Sequence, residues 1–168
     1  SVLEIHQAKF KEIAASLTNS NSSNAVAIAG AVAGVQAAGG VGKTYLARQI
    51  VNSSKVQKQF VPEGVLWAEF GAEDVTADEA LRKLWFDLGG KDELSLEENE
   101  FGQLAKARES FVELFSMRQP TALLVLDDVW NQKYLQVFQE AIQNSKVKIL
   151  VTTRFKGKIG KVFGQEST

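Results

Sequence analysis

Ala37-Ala38-Gly39-Gly40-Val41-Gly42-Lys43-Thr44 stands between an almost wholly apolar run, residues 25–36, and a segment that carries Leu46, Ala47, Ile50 and Val51 at helical spacing. A phosphate bound at close range needs several backbone N–H donors, so small residues must line the approach. It also gains from the positive end of a helix. Lysine adds a mobile point charge, and a neighbouring hydroxyl can ligate Mg²⁺. Apolar strand, glycines, Lys-Thr and helix occur here in that order. The stretch therefore predicts a phosphate site contacted by Gly39, Gly40, Val41, Gly42, Lys43, Thr44 and Tyr45, with Thr44 as a metal ligand.

Outward from this loop, helical and strand patterns alternate. Residues 3–17 place Phe10, Ile13, Ala14 and Leu17 on one helical face, and residues 18–24 are a polar loop of turn formers. The apolar run 25–36 reads as a central strand buried on both faces. It is long for a strand and holds Gly30 and Gly34, so a bend near Gly30 is expected, with the second half as the strand that feeds the loop. After Pro62, residues 65–70 form a short strand. Thr76-Ala77-Asp78-Glu79 is a capping box, opening a helix with inward positions 77, 80, 81, 84, 85 and 88 that Gly89-Gly90 ends.

Residues 91–100 are an acidic loop. The next helix carries Phe101, Leu104, Ala105, Phe111, Leu114 and Phe115 and stops before Pro120. Residues 122–127 are a strand. Asn131 caps a helix to about residue 143 with Tyr134, Val137, Phe138, Ala141 and Ile142 inward, and residues 147–152 are the last strand. This alternation predicts an α/β fold with a mostly parallel central sheet and helices on both faces, and with the glycine-rich Lys-Thr stretch between strand and helix it reads as a P-loop NTPase three-layer sandwich. In such sheets ligands sit at the carboxyl ends of the strands.

Two further signals fall at strand ends. Leu123-Leu124-Val125-Leu126-Asp127-Asp128 is an apolar strand ending in two acids. One carboxylate at such a position can hold hydrated Mg²⁺, and the other can orient an attacking water. Ile149-Leu150-Val151-Thr152-Thr153-Arg154 ends in hydroxyls and a guanidinium, a permanently charged fork suited to a γ-phosphate. One departure stands out. The P-loop pattern G-x-x-x-x-G-K-[ST] wants glycine where this chain has Ala37. If that backbone needs positive φ, alanine costs about 1 kcal/mol or more. A fold that has lost nucleotide binding and acts only in protein interaction is the alternative that Ala37 keeps open.

Composition removes other chemistries. The chain has 168 residues, 45% of them hydrophobic, enough to bury a core. There is no cysteine and one histidine, His6, so disulfides, thiolate catalysis and multi-His metal sites are excluded. His6 reads as a surface helix residue. With 19 Lys and Arg against 20 Asp and Glu the net charge is −1, so no global field steers the chain to nucleic acid, which is not an expected partner. No apolar run reaches the roughly 18 residues that span a bilayer, and no secretory leader is visible. Trp67, Trp85 and Trp130 read as core or half-core. Lys146, Lys148, Lys156, Lys158 and Lys161 read as a solvated basic face.

Taken together, GGVGKT (39–44), VLWAEFG (65–71), LLVLDDVW (123–130) and KILVTTR (148–154) resemble the nucleotide-binding core of NB-ARC proteins, in the STAND class of P-loop signal-transduction ATPases. The resemblance covers about residues 25–155. It implies an ATP/ADP-operated switch with slow Mg²⁺-dependent hydrolysis. It implies Lys43 and Thr44 on phosphate and Mg²⁺, Asp127 as the Mg²⁺-side acid, Asp128 as the water-orienting acid and Arg154 as the γ-phosphate sensor. It further implies a cytoplasmic protein whose sensor and effector domains lie outside this chain, with nucleotide-dependent self-association.

On this view residues 1–24 are an N-terminal helix and linker. Residues 25–168 are the phosphate-binding core, truncated at its C-terminus and without the helical ARC subdomains. The start at Ser1 fits excision from a longer chain. Tyr45 stands where a second Thr is common, and Ala38 where a bulky residue is. Ala38 also argues against partitioning ATPases, which carry lysine before the two glycines. Tyr45 breaks the G-x-G-x-x-G of a dinucleotide-binding domain, and no Asn-Lys-x-Asp motif supports a GTPase.

Overall fold

The computed structural model describes residues 2–19, 25–29, 41–71, 77–91, 94, 100–129, 131–143 and 145–153. Among these residues the sheet has four strands: β1 (Ala25–Ala29), β2 (Gly64–Glu69), β3 (Ala122–Val129) and β4 (Lys148–Thr153). Every pairing is parallel and the order is β1-β4-β3-β2. The helices are α1 (Val2–Thr18), α2 (Val41–Val51), α3 (Ser54–Gln59), α4 (Ala77–Asp87), α5 (Glu100–Arg118) and α6 (Gln132–Ala141).

The alternation of side chains along a strand divides the core in two. Leu123, Val125 and Leu150 point to one face, where Leu17 of α1, Leu46 and Ile50 of α2 and Val56 of α3 cover them. Leu124, Leu126, Ile149 and Val151 point to the other, under α4, α5 and α6 with Leu81, Leu84, Phe111 and Phe138. A strand so covered on both sides must be apolar at every position, which is why β3 and β4 read as unbroken hydrophobic runs. The α/β three-layer sandwich expected from the sequence is the fold observed.

The paired strand β1 is the first half of the run 25–36, with Ala25 opposite Ile149 and Ala29 opposite Thr153. The second half, expected as the strand, lies outside the described residues. Asn131 caps α6 as read, its Oδ1 accepting from Lys133 N at 3.0 Å. The short helix α3 has no counterpart in the sequence reading. Ser53 caps it, and it buries Val56. Trp67 and Trp85 are half-buried as expected. The Arg48 guanidinium lies 5.1 Å from the Trp67 ring centre, and Trp85 meets Phe111 edge-on at 5.7 Å. Trp130, Lys156, Lys158 and Lys161 lie outside the described residues.

Lys148 departs from the solvated-face reading. It is buried at the start of β4, and its Nζ donates to Ser16 O and Asn19 O at the end of α1. That helix carries no basic residue in its last turn, so β4 supplies the cation that its terminal carbonyls favour. Burial pushes the Lys148 ammonium below the ordinary lysine range. Lys148→Met keeps the stem and removes the charged donor from the Ser16 and Asn19 carbonyls. It is expected to destabilise the chain by about 1–3 kcal/mol in urea unfolding. Lys146→Met, at an exposed neighbour, is expected to change stability by less than about 0.5 kcal/mol.

Candidate functional site

The carboxyl ends of β3 and β4 meet the N-terminal turn of α2. Thr44 Oγ1 donates to Asp127 Oδ1 at 2.9 Å. Thr152 Oγ1 donates to the same oxygen at 2.5 Å. Asp127 is 5% exposed and faces the α2 side of the sheet, in step with Leu123 and Val125. Lys43 is 7% exposed and its Nζ donates to Thr153 O at 2.8 Å, at the last residue of β4. A buried ammonium needs such a partner, because its desolvation is costly.

The backbone that presents the two acids is irregular. β3 advances from Leu126 to Val129 while β4 advances only from Val151 to Thr153, so β3 carries one residue more over this step. Such a bulge breaks the ladder and re-aims side chains. Asp128 takes φ 56°, in the left-handed region that L-residues other than Asn and Asp rarely occupy. Its N–H, lost to the ladder, donates to Thr152 Oγ1 at 2.8 Å. Thr153 Oγ1 closes the far side by donating to Val129 O at 2.7 Å.

On the β2 side, Phe70 N donates to Asp127 O at 2.9 Å. Gly71 then lies against Asp128. A Cβ on Gly71 would stand 2.1 Å from Asp128 Oδ2 and 2.8 Å from Asp128 O.

The predicted residues thus divide. Lys43, Thr44, Asp127 and Asp128 converge at one place. Gly42 is buried in the first turn of α2, and Val41 begins that helix. Tyr45 points away from the cluster: it is 53% exposed, and its hydroxyl accepts from Gln49 Nε2 at 3.1 Å, one turn along. Gly39, Gly40, Ala37 and Arg154 lie outside the described residues. Two residues had no role in the sequence reading. Thr152 was visible only as one of the hydroxyls before Arg154, and Gly71 only as the end of a strand motif.

Mg²⁺ fits this donor set. Thr44 gives its proton to Asp127, which leaves its oxygen lone pairs for a metal. Asp127 Oδ2 accepts from neither threonine hydroxyl. Among the described residues no group of three or more His, Cys, Asp or Glu could hold a metal alone.

A parallel sheet with Lys-Thr at the start of a helix and paired acids at an adjacent strand end defines the P-loop class of nucleotide-binding folds. Within that class, the NB-ARC domain model matches residues 6–168, and the chain belongs to the NB-ARC family of nucleotide-binding signalling modules. It is 31% identical over 122 residues, 68% of its length, to the disease resistance RPP13-like protein 2 of Arabidopsis thaliana. It is 30% identical over 130 residues, 74% of its length, to human apoptotic protease-activating factor 1. It is 27% identical over 174 aligned positions, 92% of its length, to the Arabidopsis thaliana disease susceptibility protein LOV1. The chain spans only 13%, 10% and 18% of the lengths of these three proteins. No helix among the described residues is long and apolar enough to cross a membrane.

Gly71→Ala forces a methyl into space held by Asp128, including its backbone carbonyl. It is expected to cost about 1–3 kcal/mol in urea unfolding, because the β2 and β3 ends must separate.

Proposed function

We propose that the chain is an ATP/ADP-operated switch that hydrolyses ATP slowly with Mg²⁺. The observation that carries this reading is the Thr44–Asp127 hydrogen bond, with the Lys43 ammonium held beside it at Thr153. In this reading Lys43 leaves the Thr153 carbonyl for the β- and γ-phosphates. Gly39, Gly40, Val41 and Gly42 would offer backbone N–H donors to the same anion. Thr44 and Asp127 would hold Mg²⁺, which would supply neutralisation of the phosphate charge. Asp128 orients the attacking water, and Arg154, bonded directly to Thr153, reads the γ-phosphate.

Loss of that phosphate then changes what holds Arg154 and Lys43, which is how hydrolysis biases a conformation. Residues 25–168 form the phosphate-binding core in this reading, and residues 1–24 lead into it. The relatives named as resistance and apoptosis proteins support a place in a longer signalling chain. Sensor and effector domains there are the partners, the assembly self-associates with nucleotide state, and the compartment is the cytoplasm.

Calorimetry with ADP, ATP and GTP, with and without Mg²⁺, tests the reading. Adenine nucleotides are expected to bind and GTP to bind more weakly. A chain that binds none of them is the interaction module that Ala37 suggests. Lys43→Ala is expected to abolish binding of ADP and ATP; unchanged affinity sinks the phosphate-loop assignment. Asp128→Ala is expected to bind Mg-ATP normally and to turn it over about 100-fold more slowly or less. Normal turnover per bound ATP removes Asp128 from the reaction.

A further inference from the structure

The Thr152 hydroxyl touches both acids, and the direction of each bond is fixed by chemistry. Asp128 N–H can only donate, so Thr152 Oγ1 accepts there at 2.8 Å. The single hydroxyl proton is therefore committed to Asp127 Oδ1, at 2.5 Å, the length of a charge-assisted O–H···O⁻ bond. Thr44 brings a second proton to the same oxygen. Two protons on Oδ1 orient the carboxylate so that Oδ2 is the oxygen left to answer a hydrated cation. The bond from Asp128 N–H replaces the ladder contact that the bulge removes and holds a backbone at φ 56°.

We propose that Thr152 is a positioning residue for Mg²⁺. Its hydroxyl sets the rotation of the Asp127 carboxylate and the backbone of Asp128 together, so that metal binding and water orientation depend on one buried side chain. The inference rests on the nucleotide reading above and adds to it a residue outside the groups that touch phosphate or metal. Thr152 is 2% exposed on β4, and a valine there keeps its shape without its hydroxyl.

The test uses the 168-residue chain as wild type, Thr152→Val and Thr152→Ser. The quantity measured is the ratio of ADP dissociation constants in EDTA and in excess Mg²⁺. Thr152→Val is expected to lower that ratio by about tenfold while affinity in EDTA stays within about twofold; Thr152→Ser is expected to keep the wild-type ratio. A purely structural threonine would weaken binding equally in both buffers, and that result overturns the proposal. So does an unchanged ratio in Thr152→Val, or a ratio lost in Thr152→Ser. If Thr152→Val does not melt cooperatively, Thr152→Ser decides alone, the kept ratio supporting and the lost ratio overturning. Wild type that binds no nucleotide overturns the switch reading and this proposal with it. Wild type with a Mg²⁺ response that Thr152→Val shares overturns this proposal only.

Discussion

The Asp127 carboxylate is the point on which the arrangement turns. One of its oxygens takes a proton from α2 and another from β4, while its own strand supplies the backbone. A buried carboxylate is tolerated only when hydrogen-bonded, so these two hydroxyls are a condition of its burial. The same two bonds fix the first turn of α2 over the ends of β3 and β4. Helix α2 is thus set against the sheet by polar contacts at one end and by Leu46, Ala47 and Ile50 along its length. The apolar part supplies most of the stability, roughly 1.5–3 kcal/mol for each fully buried large side chain, and the polar part supplies the orientation.

The strand order gives that carboxylate its neighbours. β4 lies between β1 and β3, so the strand leading towards the glycine-rich loop does not touch the strand that carries the acids. The last two residues of β4 answer both sides: Thr152 to Asp127 and Asp128, Thr153 to Lys43 by its carbonyl and to Val129 by its hydroxyl. The residue that follows is Arg154. The end of β4 is therefore the shared support of the lysine and the acids, which explains chemically why that strand ends in two hydroxyl residues.

Much of this was legible in the sequence because it is local. Helical spacing placed Leu46, Ile50, Tyr134 and Phe138, and Asn131 announced a cap by its type and position. Lys43, Thr44 and the two acids declared themselves through chemistry at the ends of elements. What escaped was set by register and by distant partners. The bulge in β3 exists only relative to β4, so nothing in residues 122–129 alone displays it. Gly71 reads as an ordinary strand end until Asp128 is brought against it. Lys148 reads as one more surface lysine until α1 ends on top of it. The pairing of residues 25–29 with Ile149 to Thr153 is likewise set by β4, and the apolar run 25–36 does not display it alone. Helix α3 is six residues long and buries little beyond Val56, too short for a period to show.

The two acids differ in what holds them, and that difference follows from the bulge. Asp127 continues the strand, points into the α2 face and is fixed through its side chain. Asp128 leaves the strand geometry and is fixed through its backbone, at a φ that costs roughly 1 kcal/mol or more for most L-residues. Aspartate is among the few types that tolerate it, so the requirement for a carboxylate and the requirement for a left-handed backbone are met by one residue. Strain of this kind persists only where the surroundings over-determine it. Here they do so from both sides, since Thr152 takes the N–H and Gly71 presents no side chain to the carboxylate. A regular strand would have sent consecutive side chains to opposite faces of the sheet, one of them into the apolar layer under α4, α5 and α6. The extra residue in β3 brings Asp128 out at the carboxyl edge instead, beside the end of β2, where a charged group need not be desolvated.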